Sequence, residues 1–223
     1  MKITSEHGAR LFLVRHGETE GESSIRYHGR NDIALSDLGR AQMRAARIHL
    51  ESVRERAPFS RIFSSPLMRA SESARIIAGG STALDIIDDF AEVHFGLFEG
   101  LTAGEISERF PEEFARWNLD RLAPGYTYPE GENRTAFVQR VERGVDRMLE
   151  IWTAHRAHAE DREPHDALVV AHRGVIRAIV RKLSGAQPTV ELASIHILHF
   201  GDRWHPHALD IVEHLASTRH HSK

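Results

Sequence analysis

Arg15 and His16 stand side by side at the end of an apolar run, in the stretch Leu13-Val14-Arg15-His16-Gly17-Glu18-Thr19. The two side chains suit one chemistry. A guanidinium presents a planar fork of donors that matches phosphate oxygens. A neutral imidazole can attack phosphorus and carry the phosphoryl group as a covalent intermediate. The pair therefore reads as a nucleophile beside a fixed positive charge.

Three further segments carry candidate groups. They are Ser64-Ser65-Pro66-Leu67-Met68-Arg69-Ala70, Glu92-Val93-His94-Phe95-Gly96-Leu97-Phe98-Glu99-Gly100 and Val169-Val170-Ala171-His172-Arg173-Gly174-Val175-Ile176-Arg177. Taken alone, Arg69 reads as a solvated helix residue, Glu92 as a loop carboxylate and His172 as a satisfied strand-end histidine. In this order, the four segments resemble the histidine phosphatase superfamily, also called phosphoglycerate mutase-like. They are similar in turn to its L-x-R-H-G-E-T, S-x-x-x-R-A/T, E-x-x-F-G-x-W/F-E-G and V-S/A-H-G-G-V-I-R elements. The resemblance spans residues 10 to about 180.

The resemblance implies roles. His16 would be the nucleophile, Arg15 and Arg69 the phosphate-binding cations, Glu92 the proton donor and His172 the second imidazole of the pocket. Phosphate contacts are expected from Arg15, Gly17, Thr19, Glu22, Arg69, Arg173 and Gly174. Arginines and imidazoles around a dianion would stabilise a transferring phosphoryl group, so neither metal nor cofactor is expected. Glu99, seven residues after Glu92, is the competing carboxylate; its place before Gly100 and Thr102 assigns it to holding the loop.

Two positions depart from the pattern. The family usually has Gly after the second histidine, where this chain has Arg173, and often Asn six residues after the nucleophile, where it has Glu22. A carboxylate facing a phosphate would be repulsive. The expected resolution is that Glu22 and Arg173 pair at the pocket rim.

Three functions compete. A phosphatase passes the phosphoryl group to water. A 2,3-bisphosphoglycerate-dependent phosphoglycerate mutase returns it to bound glycerate, and a non-catalytic relative only binds a phosphorylated ligand. Mutases of the family have an Arg-Arg pair in the insertion, whereas Phe114-Ala115-Arg116-Trp117-Asn118-Leu119-Asp120-Arg121 has isolated arginines. Every catalytic position is filled, which favours a phosphatase acting on a small phosphorylated metabolite. Phe110, Phe114, Trp117, Tyr126 and Tyr128, with Arg116 and Arg121, would roof the site or form the insertion's own small core.

The elements that must hold these groups alternate in type. Residues 10–14 (RLFLV), 61–63 (RIF), 83–87 and 167–171 (ALVVA) read as strands, with two more near 194–200 and 207–213. Ser36 is a good N-cap for a helix to about Arg56, with Leu38, Met43, Ala46, Ile48 and Leu50 available to a core. Ser65-Pro66 reads as an N-cap and first-turn proline opening a helix to about Ala78. Thr102 and Glu105 form a capping-box pattern, Asn133 caps a helix to about His158, and residues 174–183 form another. The alternation predicts an α/β fold: a mainly parallel central sheet with helices on both faces. Residues 1–223 read as a single domain, with 88–131 as a small helical or irregular insertion over the site. The first and fourth motifs each follow a buried strand, so their polar ends emerge at the carboxyl edge, where ligands bind in open α/β sheets.

Bulk properties bound the rest. The chain has 223 residues, a formal net charge of −3 and no cysteine. Nucleic acid and anionic membranes are not expected partners, and disulfides and thiolate metal sites are excluded. The polar start, Met1 to Arg10, reads as no signal peptide, and no apolar run approaches the roughly 20 residues of a membrane span. A cytoplasmic protein is expected, and a homodimer is compatible with the sequence, which does not fix the oligomeric state. Among sixteen histidines, the pairs His155/His158, His196/His199 and His205/His207 have ligand-like spacing, but read as surface or strand side chains. The tail 219–223 reads as disordered.

Overall fold

The computed structural model describes residues 8–54, 58–79, 83–156, 166–216 and 218. Six strands form one sheet: β1 Ala9–Arg15, β2 Arg61–Ser64, β3 Asp85–Ile86, β4 Ala167–Ala171, β5 Ile195–Phe200 and β6 Trp204–Ile211. Their spatial order is β3-β2-β4-β1-β5-β6. The first four strands of that order run parallel, β5 runs antiparallel to β1, and β6 runs antiparallel to β5. The expected mainly parallel sheet is what forms.

Strand side chains alternate between two cores. Leu11 and Leu13 of β1, with Val169 of β4, face one apolar cluster; Phe12 and Val14, with Leu168 and Val170, face the other. Period-2 alternation with both faces apolar is the signature of a sheet covered on both sides. Helices α1 (Asp37–Val53) and α2 (Met68–Ala78) cover one face; α5 (Arg134–Arg156) and α6 (Arg173–Ser184) cover the other. Between them lie two short 3₁₀ turns and helices α3 (Ala103–Arg109) and α4 (Pro111–Asp120), which form the insertion.

Local expectations fare unevenly. Ser36 caps α1 by accepting the Gly39 N–H. Met43, Ala46 and Leu50 are buried, but Ile48 is 69% exposed. It lies two residues from both Ala46 and Leu50, so at 100° per residue it falls on the far side of the helix. The Thr102–Glu105 capping box is present, and Asn133 Oδ1 accepts from the Thr135 and Ala136 N–H groups. Helix α2 begins differently from expectation. Leu67, not Ser65, is the N-cap, without a side-chain bond. β3 is only two residues long. The expected ends of α1 near Arg56 and α5 near His158, and the tail 219–223, fall outside the described residues.

Of the histidine pairs, His196 is engaged structurally. Its Nε2 lies 3.0 Å from Ser194 Oγ and its Nδ1 accepts the Asp210 N–H at 3.1 Å. No described helix is long and apolar enough to cross a membrane.

Candidate active site

Strand register builds the site. β1 and β4 pair so that Arg15 lies opposite Ala171, and β2 and β4 so that Ser64 lies opposite Val170. One residue further on, all three strands end at the same edge. His16 N–H donates to Ala171 O, and Ser65 N–H to Val170 O. Ser65, His172 and His16 therefore follow one another across the carboxyl edge. The imidazoles of His16 and His172 meet edge to face, with centroids 5.2 Å apart.

The tautomer of His16 is set by its neighbour. His16 Nδ1 lies 2.7 Å from Gly17 O. A carbonyl can only accept, so Nδ1 carries the hydrogen and Nε2 keeps its lone pair. Burial, then the charges of Arg69 and Arg15, hold the His16 pKa well below its ordinary value. The imidazole is thus neutral and nucleophilic near neutral pH. Burial, Arg69 and His16 act the same way on His172. Its Nε2 is 2.7 Å from Ser65 Oγ, and its Nδ1 is buried without a hydrogen-bond partner.

The two arginines expected to bind phosphate are each partly occupied. Arg15 Nη1 donates to Val190 O at 3.2 Å, and burial followed by the Arg173 charge lowers its pKa to about 9. Arg69 is fully buried. Its Nη1 donates to Asn31 O, and its Nη2 to His28 O and Gly29 O. The Nε atoms of both arginines are buried without a partner.

Glu92 is 7% exposed. Its Oε1 accepts the Val93 N–H and its Oε2 accepts the Gly174 N–H at the start of α6. Arg140 clamps the backbone here, donating to Asp89 O, Ala91 O and Glu92 O, with Glu132 as its carboxylate partner. A Cβ on Gly174 would sit 2.5 Å from Glu92 Oε1. Gly174 therefore makes room for the carboxylate. Glu99 accepts from four backbone N–H groups, those of Gly29, Arg30, Asn31 and Phe95, and so staples the loop.

The expected Glu22–Arg173 pair is not formed. Glu22 bonds Arg26 at 3.2 Å and is 60% exposed, while Arg26 also binds Glu105 at 2.6 Å. Arg173 Nε instead donates to Val190 O at 3.1 Å. Arg26 lies four residues from Glu22 and takes its charge locally. Thr19 is buried, and its hydroxyl lies 2.7 Å from that of Ser23. Gly17 packs so tightly that a Cβ would meet Gly39 O at 2.6 Å.

A cavity of about 690 Å³ opens over this edge, with Arg15, His16, Glu92, Arg173 and Gly174 among its lining. His172, Arg69, Gly17, Thr19 and Glu22 are not part of that lining. From the insertion, Trp117, Arg121 and Tyr128 reach the cavity, joined by Tyr27. Phe110, Phe114 and Tyr126 belong to the insertion's own apolar cluster, and Arg116 is exposed. Sequence reasoning missed Ser65, read there as a helix cap. It also missed residues 188–190, whose carbonyls orient arginines without any motif to mark them.

A bifunctional protein of Mycobacterium tuberculosis is 36% identical over 199 residues, which cover 86% of this chain and 50% of the relative. The chain thus spans half the length of that relative. The adenosylcobalamin/alpha-ribazole phosphatase of Salmonella typhimurium is 30% identical over 175 residues, covering 78% of this chain and 79% of the relative. The native structure of a mycobacterial glucosyl-3-phosphoglycerate phosphatase superposes with a TM-score of 0.74 at 25% identity, covering 92% and 100% of the two chains. The model of the histidine phosphatase superfamily (branch 1) matches residues 11–207, and the chain belongs to that family.

Proposed function

We propose that the protein is a phosphoric monoester hydrolase acting on a small phosphorylated metabolite through a phosphohistidine. One observation carries this reading. Arg15 Nε, Arg69 Nε and His172 Nδ1 are buried polar atoms without partners, and their side chains surround His16. Buried donors are rarely left unsatisfied. A phosphoryl dianion, rich in acceptors, complements them.

The steps follow from the geometry. His16 Nε2 attacks phosphorus, and the bond from phosphorus to the ester oxygen breaks. Glu92, held by two backbone N–H groups, gives its proton to that oxygen. It then takes a proton from the attacking water as the N–P bond breaks, releasing inorganic phosphate and neutral His16. Ser65 Oγ accepts the Leu67 N–H and its O–H donates a hydrogen bond to His172 Nε2. That leaves the hydrogen of His172 on Nδ1, as a donor to a phosphoryl oxygen. Arg15 and Arg69 hold charge that neither needs a metal to supply nor must reorganise during transfer.

Independence of divalent ions and of any cofactor belongs to this proposal. So does residence in the cytoplasm, with no nucleic acid or membrane as partner. The net charge of −3 supports the absence of polyanionic partners. The named relatives support a small phosphorylated substrate.

The test is a panel of phosphorylated metabolites with the purified protein, measuring phosphate release and phosphoglycerate isomerisation in parallel, with and without excess EDTA. Phosphate release that survives EDTA is expected. Isomerisation without net release would replace the hydrolase by a mutase, and loss on chelation restored by Mg²⁺ would end the metal-independent scheme.

A further inference from the structure

The cavity is far more cationic than one phosphoryl group requires. Seven arginines line it, and Glu92 is the single carboxylate among its lining residues. Arg15 lies beside His16 and serves the floor. Arg26 is neutralised by Glu22 and Glu105. The other five, Arg121, Arg134, Arg173, Arg177 and Arg181, make no salt bridge among the described residues.

Three of the five form a ladder. Arg173, Arg177 and Arg181 are spaced four apart on α6, so they project from one helix face. At 1.5 Å per residue, Arg177 stands about 6 Å and Arg181 about 12 Å along the axis from Arg173. Arg173 directly follows the pocket imidazole His172. The ladder therefore runs from the floor outward along the cavity wall.

The lower two rungs are fixed. Arg173 Nε donates to Val190 O at 3.1 Å; Arg177 donates through Nε to Pro188 O and through Nη2 to Thr189 O, both at 3.0 Å. Asp210 anchors this loop from behind, its carboxylate accepting the Thr189 and Val190 N–H groups. All three arginines are exposed to solvent, yet the lower two are tied to three consecutive carbonyls and so are held in place beside the cavity. Opposite, Arg134 Nη1 donates to Arg121 O at 2.6 Å, and the Arg121 guanidinium lies 4.8 Å from the Trp117 ring centroid. Burial first, then the charges of Arg173 and Arg134, lower the Arg177 pKa. The two carboxylates that act on Arg177, Asp210 and Glu92, are both occupied by backbone N–H groups.

The geometry points to a second anion subsite, built by Arg177 and Arg181 with Arg134, that selects phosphomonoesters carrying another anionic group about 6–12 Å beyond the scissile phosphate. The second group is a carboxylate or a phosphoryl-type anion, both of which a guanidinium fork can hold. Tyr27, Trp117 and Tyr128 lie along the intervening wall and suit a ring or apolar body between the two anions. This inference rests on the phosphatase reading of the same site and specifies its substrate class.

The experiment uses linear alkyl phosphates whose spacers cover that span and whose far ends are a hydroxyl, a carboxylate or a non-hydrolysable phosphonate. An aryl phosphate with no second anion serves as the activity control. The wild-type protein is expected to show kcat/KM at least about tenfold higher for an anionic terminus than for the hydroxyl, mainly through KM. The better of the two anionic termini identifies the source. That ratio should fall toward unity in Arg177→Gln and in Arg181→Gln, and persist in Arg177→Lys. Arg181 makes no side-chain hydrogen bond among the described residues, so its variant keeps the test independent of the loop that Arg177 supports. A wild-type ratio near unity, with the aryl phosphate hydrolysed, would overturn the subsite and leave the phosphatase reading standing. A ratio unchanged in both glutamine variants would overturn the ladder's role. No hydrolysis of any of these esters would remove the phosphatase reading and the subsite with it.

Discussion

Arg15 and Arg173 donate to one and the same acceptor, the carbonyl oxygen of Val190, at 3.2 and 3.1 Å. A guanidinium at the floor and a guanidinium at the wall are thereby held at a fixed spacing despite their repulsion. Val190 adopts φ +61, a conformation that a β-branched residue rarely enters. Its side chain is fully buried and Asp210 holds its N–H, so the surrounding structure enforces the turn. The Arg173 side chain is accommodated by this loop, not by the carboxylate of Glu22.

His16 should become phosphorylated. Rapid quench with labelled substrate should yield an acid-labile, base-stable protein phosphate. His16→Ala should abolish the label and lower kcat by about 10³-fold or more, because the covalent path is closed. Full labelling of the variant would transfer the nucleophile's role to another residue.

Glu92→Gln should discriminate between leaving groups. Esters of poor alkoxide leaving groups should slow by about 10²-fold or more, the scale of general acid catalysis. An activated aryl phosphate needs little protonation and should lose much less. Equal losses on both would make Glu92 a structural or water-activating group. The same dependence in a Glu99 variant would reverse the assignment.

Gly174→Ala should separate activity from stability. Gly174 lies in the first turn of α6, where alanine is the better helix former. Its new Cβ would nevertheless crowd Glu92 Oε1 at 2.5 Å and Phe137 Cζ at 3.0 Å. Displacement of the carboxylate should lower kcat by about tenfold or more, while the thermal midpoint stays near the wild-type value. A variant with full kcat would show that the carboxylate tolerates the methyl group.

Acid should destabilise the fold before its carboxylates titrate. Burial lowers the His196 pKa from 6.5 to about 4, and burial also holds His16 and His172 well below their ordinary value. Between the unfolded and folded pKa values the unfolded chain binds more protons. Stability is therefore full above about pH 6.5 and is lost as pH falls toward 4. His196 alone accounts for about 3 kcal/mol of that loss. His196→Gln should flatten the dependence of urea midpoint on pH over this window; coincident profiles for variant and wild type would contradict it.

The parts of the fold legible in the sequence were those set by short-range pattern. Residues 167–171 form β4 with the bounds read from their apolar run, because burial on both faces demands continuous apolarity. The four motifs meet at one edge because each closes or follows a strand of the same parallel set. What escaped was set by tertiary competition. Ser65-Pro66 carries a helix-start signal, yet the Ser65 hydroxyl goes to His172, a partner 107 residues away. Glu22 had an arginine four residues on, and the local pair prevailed over the distant one. That Arg177 and Arg181 border the cavity is set by how α6 packs, which no local pattern marks. Residues 188–190 act through backbone carbonyls, which every sequence possesses.

The position of β1 in the sheet also bears on how the protein can be made. β1 leads into His16 yet lies between β4 and β5, strands drawn from residues 167–171 and 195–200. A chain emerging from the ribosome exposes β1 long before either neighbour exists. Closing such distant contacts is slow, and the unpaired strand stays open to wrong partners meanwhile. The candidate site therefore assembles only after β4 has been made, and a fragment cut before β4 can contain the Arg15–His16 motif without ever completing that site.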